Sequence, residues 1–226
     1  MNHSREFLDT TVTDAPLVTA SVRGFLHEPA VSGDALVLTH GAGADCNAPL
    51  LRALADAFCA AGITVLRLNL PFRQLRPHGS PPPGSAERDQ QGLRAAVEAM
   101  RRRTPGRIFL GGHSYGGRQA SMLAAGTPGL VNALLLLSYP LHPPRRPQEL
   151  RTAHFPRLHT SALFVHGSRD GFGCIAELEA ARKLVPAQTE LLPVPTAGHE
   201  LLTKQNREDL PSLCVDRFLA FTAETP

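Results

Sequence analysis

Short apolar runs recur along the chain, each stopped by glycine, proline or a polar cluster. ALVLTH at 35–40, ITVLRL at 63–68, ALLLLS at 133–138, ALFVHG at 162–167 and TELLPV at 189–194 have the length and branched content of strands. Ile108, Phe109 and Leu110 form another such run, leading into GGHSYGGR at 111–118. Between the runs the apolar spacing becomes helical. The pattern predicts helices over Pro49–Ala61, stopped by Gly62, over Ala86–Arg103, ended by Thr104, Pro105 and Gly106, and over 175–184 and 210–222. LVTASVRGFLHEP at 17–29 alternates and predicts an early hairpin. Strands alternating with helices, and strands apolar throughout rather than on one face, imply an α/β fold: a mainly parallel sheet with helices on both faces.

RPHGSPPPGS at 76–85 and YPLHPPRRP at 139–147 cannot continue regular structure, because proline lacks the amide proton. They read as surface loops, too short for a large helical cap, so a site near them would be open or lightly covered. A chain of 226 residues can bury roughly 70% of its unfolded surface, and it is read as a single domain over 1–226.

Composition narrows the partners. The net charge is +3, with no dominant basic block, which does not favour nucleic acid. MNHSREFLDT lacks the apolar stretch of about 7–15 residues that a secretory signal needs. ALLLL is far below the roughly 18 apolar residues of a membrane span. A cytoplasmic protein, not bound to membrane, is expected. Cys46, Cys59, Cys174 and Cys214 lie far apart, without the paired spacing of a zinc site, so reduced thiols and no metal are expected.

GGHSYGGR admits two chemistries. Counted from Gly112, GHSYGGRQ approaches a phosphate-binding loop, but Arg118 stands where lysine is required and Gln119 where a magnesium-ligating hydroxyl is required. The next strand ends in Ser138 rather than an acidic metal ligand. The other pattern, Gly-x-Ser-x-Gly over Gly112–Gly116, fits without exception and lies between a strand and a helix. In that turn the serine backbone is strained, and small residues two places to either side avoid collision.

A nucleophilic serine needs a base, and the base an acid that fixes its tautomer. Asp170, in HGSRDGFG, follows one strand; His199, in TAGHELL, follows the next. Ser114, Asp170 and His199 therefore occur in the order of an α/β-hydrolase triad, with separations of 56 and 29 residues. Taken singly, Asp170 reads equally as a turn residue and His199 as the start of a helix. His113 is expected to point away from the site, and His40 and His166 to be structural at strand ends. THGAGAD at 39–45 supplies small residues at a strand end, and the backbone amides of Ala42 and Tyr115 are the candidate oxyanion donors, with Gly43 the alternative to Ala42.

THGAG, GGHSYGGR, LSYPLHPP, LRTAHFP, LFVHGSRDGFG and AGHEL together resemble the α/β-hydrolase superfamily, in particular small lidless members such as the KANL/TEX-like branch and dienelactone hydrolases. Dienelactone hydrolases carry a cysteine nucleophile, and this chain has Ser114 in that place, so their reaction does not carry over. The resemblance implies a serine hydrolase of esterase or thioesterase type, acting on a small acyl compound without a cofactor. Two alternatives stay open: a non-catalytic interaction protein built on a hydrolase fold, as some members of the KANL/TEX-like branch suggest, and a peptidase or acyltransferase using the same triad. Among nearby residues, Arg118 is expected to form a salt bridge that secures its helix rather than to hold a substrate carboxylate. Arg67 and Arg73 share that ambiguity. Tyr115, Phe72, Tyr139 and Phe172 are candidates either for an acyl pocket or for ordinary core.

Overall fold

A computed structural model describes residues 4–9, 21–31 and 33–224. Eight strands form one sheet in the order β1-β2-β4-β3-β5-β6-β7-β8, with β1 Ser4–Asp9, β2 Val22–His27, β3 Ala35–Thr39, β4 Thr64–Asn69, β5 Ile108–His113, β6 Ala133–Leu137, β7 Ala162–Gly167 and β8 Thr189–Val194. β1 pairs with β2, and β2 with β4, antiparallel; every other pairing is parallel. The described residues also form six α-helices, α1 Pro49–Ala60, α2 Pro71–Leu75, α3 Ser85–Arg101, α4 Tyr115–Gly126, α5 Ile175–Arg182 and α6 Asp209–Ala223, and a 3-10 turn at Phe155–Arg157.

The strand sequences explain the layering. Every residue of β3, β5, β6 and β7 is buried, as expected for central strands covered on both faces. The side-chain period of two sends Leu134 and Leu136 of β6 to one face and Leu135 and Leu137 to the other. The first face packs on α3, α4 and α5 through Leu93, Met100, Ala120, Ala124 and Leu178. The second packs on α1 and α6, where Phe218 meets Phe109 and Phe58 edge-on, with ring centroids 5.1 and 5.7 Å apart. β8 is only half-buried and carries Pro193, which is tolerated because an edge strand does not need that amide.

Two elements differ from the sequence expectation. The partner of β2 is Ser4–Asp9, whose one buried residue is Phe7, so an edge strand this charged shows no apolar alternation. Residues 17–20 of the expected hairpin lie outside the described residues. α2 is the other difference: five residues are too few to display a helical period, and Pro71 at its first position starts it. Among the described residues no helix is long and apolar enough to cross a membrane.

The order β4-β3-β5 reverses the direction of winding at β3. After β3 the chain goes to β4 on one side, then returns across β3 to β5 on the other. The carboxyl ends of β3 and β5 therefore lie side by side, with Thr39 beside Gly112, and such a reversal opens a crevice above the sheet.

Candidate active site

The turn from β5 into α4 stands at that crevice. Ser114 has φ 50° and ψ −115°, a conformation that costs a non-glycine residue energy and is held here by its surroundings. Its amide donates to the Leu137 carbonyl of β6 at 2.8 Å. The flanking glycines are required by contact rather than by their own dihedral angles. A Cβ on Gly112 would stand 2.6 Å from the Gly116 carbonyl carbon and the Gly117 nitrogen, and one on Gly116 would stand 2.5 Å from the His40 carbonyl oxygen.

The loops after β7 and β8 bring two side chains to this serine. His199 Nε2 lies 2.8 Å from Ser114 Oγ, and Nδ1 lies 2.8 Å from Asp170 Oδ2. An ionised carboxylate only accepts, so Nδ1–H donates to Asp170 and Nε2 is left to accept the Ser114 hydroxyl. Asp170 Oδ1 accepts the Phe172 amide at 2.8 Å. Burial pushes the Asp170 carboxyl upward, but hydrogen bonds from His199 and the Phe172 amide, with the neighbouring His199 and His166 rings, outweigh it and hold the group below its ordinary value. Phe172 lies over the His199 ring, centroids 4.2 Å apart at 31°, which shields the imidazole on one side.

The two loops are tied together by their backbones. The Arg169 amide donates to the Ala197 carbonyl at 2.9 Å, and Ser168 Oγ accepts the Thr196 amide at 2.9 Å. His113 was expected to point away from the site. Instead its Nε2 reaches the backbone carbonyl of His199 at 2.8 Å, because the last side chain of β5 faces the loop that follows β8.

The amides of Ala42 and Tyr115 donate to no protein group among the described residues, and both residues line the cavity that contains Ser114, whereas Gly43 does not. A set of contacts the sequence did not reveal holds this region. The Leu70 amide donates to His40 Nε2 at 3.2 Å, which leaves Nδ1–H to donate to the Gly41 carbonyl at 2.8 Å. That carbonyl belongs to the same peptide as the Ala42 amide, so His40 fixes the direction of that N–H. Burial holds the His40 imidazole neutral, its pKa lowered to about 4. Arg73 donates to the carbonyls of Ala42 and Ala44, each at 2.8 Å, and to those of Arg76 and Gly79. Asp89, fully buried on α3, accepts the Tyr115 hydroxyl at 2.7 Å and the Phe72 amide at 3.0 Å. In the sequence only the histidine-glycine pair at the end of β3 and Arg73 beside LNLPF stand out; Arg73 turns out to hold backbone carbonyls rather than a carboxylate, and Asp89 reaches the site through contacts remote along the chain.

Arg67 lies away from the cavity, donating to His27 and to the Cys46 carbonyl. Tyr115 and Phe172 line the cavity; Phe72 is buried between His40 and Tyr115, and Tyr139 is core. Arg118 also lines the cavity, and no carboxylate pairs with it among the described residues. The expected salt bridge is thus not formed: the acid that faces the first turn of α4, Asp89, is engaged by the Tyr115 hydroxyl and the Phe72 amide instead. Among the described residues no group of three or more His, Cys, Asp or Glu side chains is placed to hold a metal ion.

A family model described as an alpha/beta hydrolase domain matches residues 32–220, a span that takes in β3 to β8 and all three residues of the hydrogen-bonded chain. The chain belongs to the α/β-hydrolase family. Solved hydrolases share its fold at low identity. Dienelactone hydrolase from Anabaena variabilis is 20% identical with a TM-score of 0.74, covering 96% of this chain and 98% of its own. Est1E from Butyrivibrio proteoclasticus is 16% identical with a TM-score of 0.74, covering 97% and 99%. XC6422 from Xanthomonas campestris, described as a serine hydrolase without a lid, is 18% identical with a TM-score of 0.69, covering 99% and 97%. Among the described residues this chain likewise has no large cap: the cavity, about 400 Å³, is bordered by loop residues such as Pro81, Pro82 and Pro140.

Proposed function

We propose that the protein is a serine hydrolase that cleaves an ester, thioester or related acyl bond through an acyl-enzyme on Ser114. The observation that carries this reading is the unbroken hydrogen-bonded chain from Ser114 Oγ through His199 to Asp170, with 2.8 Å at each link. Ser114 Oγ attacks the acyl carbon while His199 Nε2 takes its proton. The tetrahedral oxyanion is stabilised by the Ala42 and Tyr115 amides; losing one such donor typically costs about 100- to 1000-fold in turnover. Collapse expels the leaving group, which takes the proton back from His199. Water, activated by His199 in the same way, then releases the acid and restores the serine. Asp170 holds Nδ1–H and stabilises the imidazolium formed in each half-reaction.

Two measurements test the reading. A fluorophosphonate probe should form a covalent adduct on Ser114, located by peptide mapping, because an activated serine attacks phosphorus as it attacks a carbonyl. p-Nitrophenyl esters of graded chain length should be hydrolysed by the parent and not by Ser114→Ala. An absent adduct together with no Ser114-dependent turnover would leave a hydrolase fold serving as an interaction module.

A further inference from the structure

The cavity beside Ser114 is lined unevenly. Prolines 81, 82 and 140 and Phe172 supply apolar surface, whereas Arg118, Gln119 and Arg151 supply hydrogen-bond donors. Arg118 stands one helical turn from the nucleophile, its amide donating to the Ser114 carbonyl at 3.0 Å. Arg151 comes from the loop after β6 and is firmly seated: its amide donates to the Leu141 carbonyl at 2.8 Å, and its carbonyl accepts the buried Tyr139 hydroxyl at 2.7 Å.

These donors are only partly matched: Arg151 Nη1 reaches the Pro140 carbonyl at 3.5 Å and Arg118 reaches the Tyr139 hydroxyl, but neither meets a carboxylate among the described residues. The arginine–carboxylate pairs among the described residues involve Arg5, Arg102, Arg107, Arg146, Arg182 and Arg217, so neither Arg118 nor Arg151 takes part in one. Glu149, the acid nearest Arg151 along the chain, is engaged by Arg146 at 3.3 Å. Arg118 Nε is buried without a partner. Gln119 is fully buried; its Oε1 accepts from Gln90 at 3.0 Å, and its Nε2 has no partner. Burial lowers the Arg151 pKa, and the nearby Arg118 charge acts in the same direction. Two like charges held at one half-buried wall, with no carboxylate between them, are costly by themselves. A ligand that brings negative charge and several acceptor atoms removes that cost, and a planar carboxylate matches a guanidinium in two parallel hydrogen bonds.

We propose that Arg118 and Arg151 bind a free carboxylate on the substrate, so that the bond broken at Ser114 belongs to an ester or thioester carrying a second, ionised carboxyl group, such as the half-ester of a short dicarboxylic acid. This substrate class rests on the serine-hydrolase reading above. The carboxylate anchors the molecule at the arginines while the acyl carbon lies against Ser114 and the Ala42 and Tyr115 amides. The neutral prolines and Phe172 enclose the linking carbons.

The test compares two esters of nearly the same shape: the p-nitrophenyl half-ester of glutaric acid and p-nitrophenyl 5-methylhexanoate, in which a branched methyl pair replaces the two carboxylate oxygens. The parent should favour the charged ester in kcat/KM by roughly tenfold to a hundredfold, the range expected for charge-assisted hydrogen bonds. Arg151→Gln and Arg118→Gln should each lower that ratio about tenfold, with melting temperatures near the parent. Arg151→Gln, in a loop, keeps the test open should the helical variant fold poorly. Independently of turnover, Ser114→Ala protein should bind glutarate monomethyl ester in calorimetry, and Arg151→Gln on that background should abolish binding. Arginine-dependent binding without Ser114-dependent turnover would sink the hydrolase reading and leave the carboxylate site standing. Ser114-dependent turnover with no charge preference, or a preference the arginine variants do not alter, would overturn the carboxylate site alone. Inorganic phosphate displacing the ligand more strongly than free glutarate would also overturn it, since the arginines would then serve a phosphate.

Discussion

His113 Nε2 donates to the backbone carbonyl of His199 at 2.8 Å, and the two rings lie 5.1 Å apart. The residue just before Ser114 thus clamps His199, across 86 positions of chain. Burial lowers the His113 pKa and keeps the ring neutral, consistent with one nitrogen donating to a carbonyl. His113→Ala should let the His199 loop drift. Since a displacement of about 1 Å at a reacting group can cost about a hundredfold, kcat should fall by about that factor with KM little changed. Steady-state kinetics and the rate of fluorophosphonate labelling should fall together; a KM effect alone would contradict the positioning role.

Asp170→Asn should remove the acceptor that fixes the His199 tautomer. The same change in a serine-protease triad costs about 10,000-fold in kcat, and a loss of that order is expected here at nearly unchanged melting temperature. Asp209→Asn, exposed in the first turn of α6, should cost less than about twofold. If Asp170→Asn stayed within about tenfold of the parent, a different carboxylate would be serving His199.

Acid should destabilise the fold before carboxylates are involved. Burial lowers the pKa of His40 and of His154 from the ordinary 6.5 to about 4, with the Arg118 and Arg157 charges adding to the effect at His154. The unfolded chain therefore binds protons at these two residues first. The stability they confer is complete above pH 6.5 and is lost as pH falls towards 4, each contributing up to about 1 kcal/mol per pH unit. Urea unfolding at pH 7, 6 and 5 should show this slope, and His154→Gln should flatten it by about one proton. Asp170, whose pKa is lowered, loses its contribution only at still lower pH.

Gly116→Ala should harm both folding and turnover. Its Cβ would stand 2.5 Å from the His40 carbonyl oxygen and 2.6 Å from Thr39 Cγ2, so α4 and the end of β3 must separate, at a cost of about 1–3 kcal/mol. Gly126→Ala, at the last residue of α4 with no atom within 4 Å of the new Cβ, should instead be neutral or stabilise by up to about 1 kcal/mol. Thermal melts of the two variants, with ester turnover measured alongside, distinguish steric collision from a general intolerance of substitution in this helix.

The sequence alone determined the elements built from local pattern. ALVLTH, ALLLLS and ALFVHG are strands because a short apolar run of that length is buried on both faces, and GGHSYGG is a turn because only small residues fit around a strained serine. Chain order and the residues just past each strand end were enough to single out Ser114, Asp170 and His199. The tertiary structure alone decided what depends on strands meeting out of sequence order. The arrangement β4-β3-β5 sets His40, Arg73 and Asp89 around one loop. The side of β1 that hides Phe7, and the five-residue α2, are likewise fixed by their neighbours rather than by any period of their own. Arg118 marks the boundary most clearly. Its place four residues after Ser114 is local and legible, but whether a guanidinium is paired depends on which distant side chains face it, and in this fold Arg151 faces the same cavity while no acid among the described residues does.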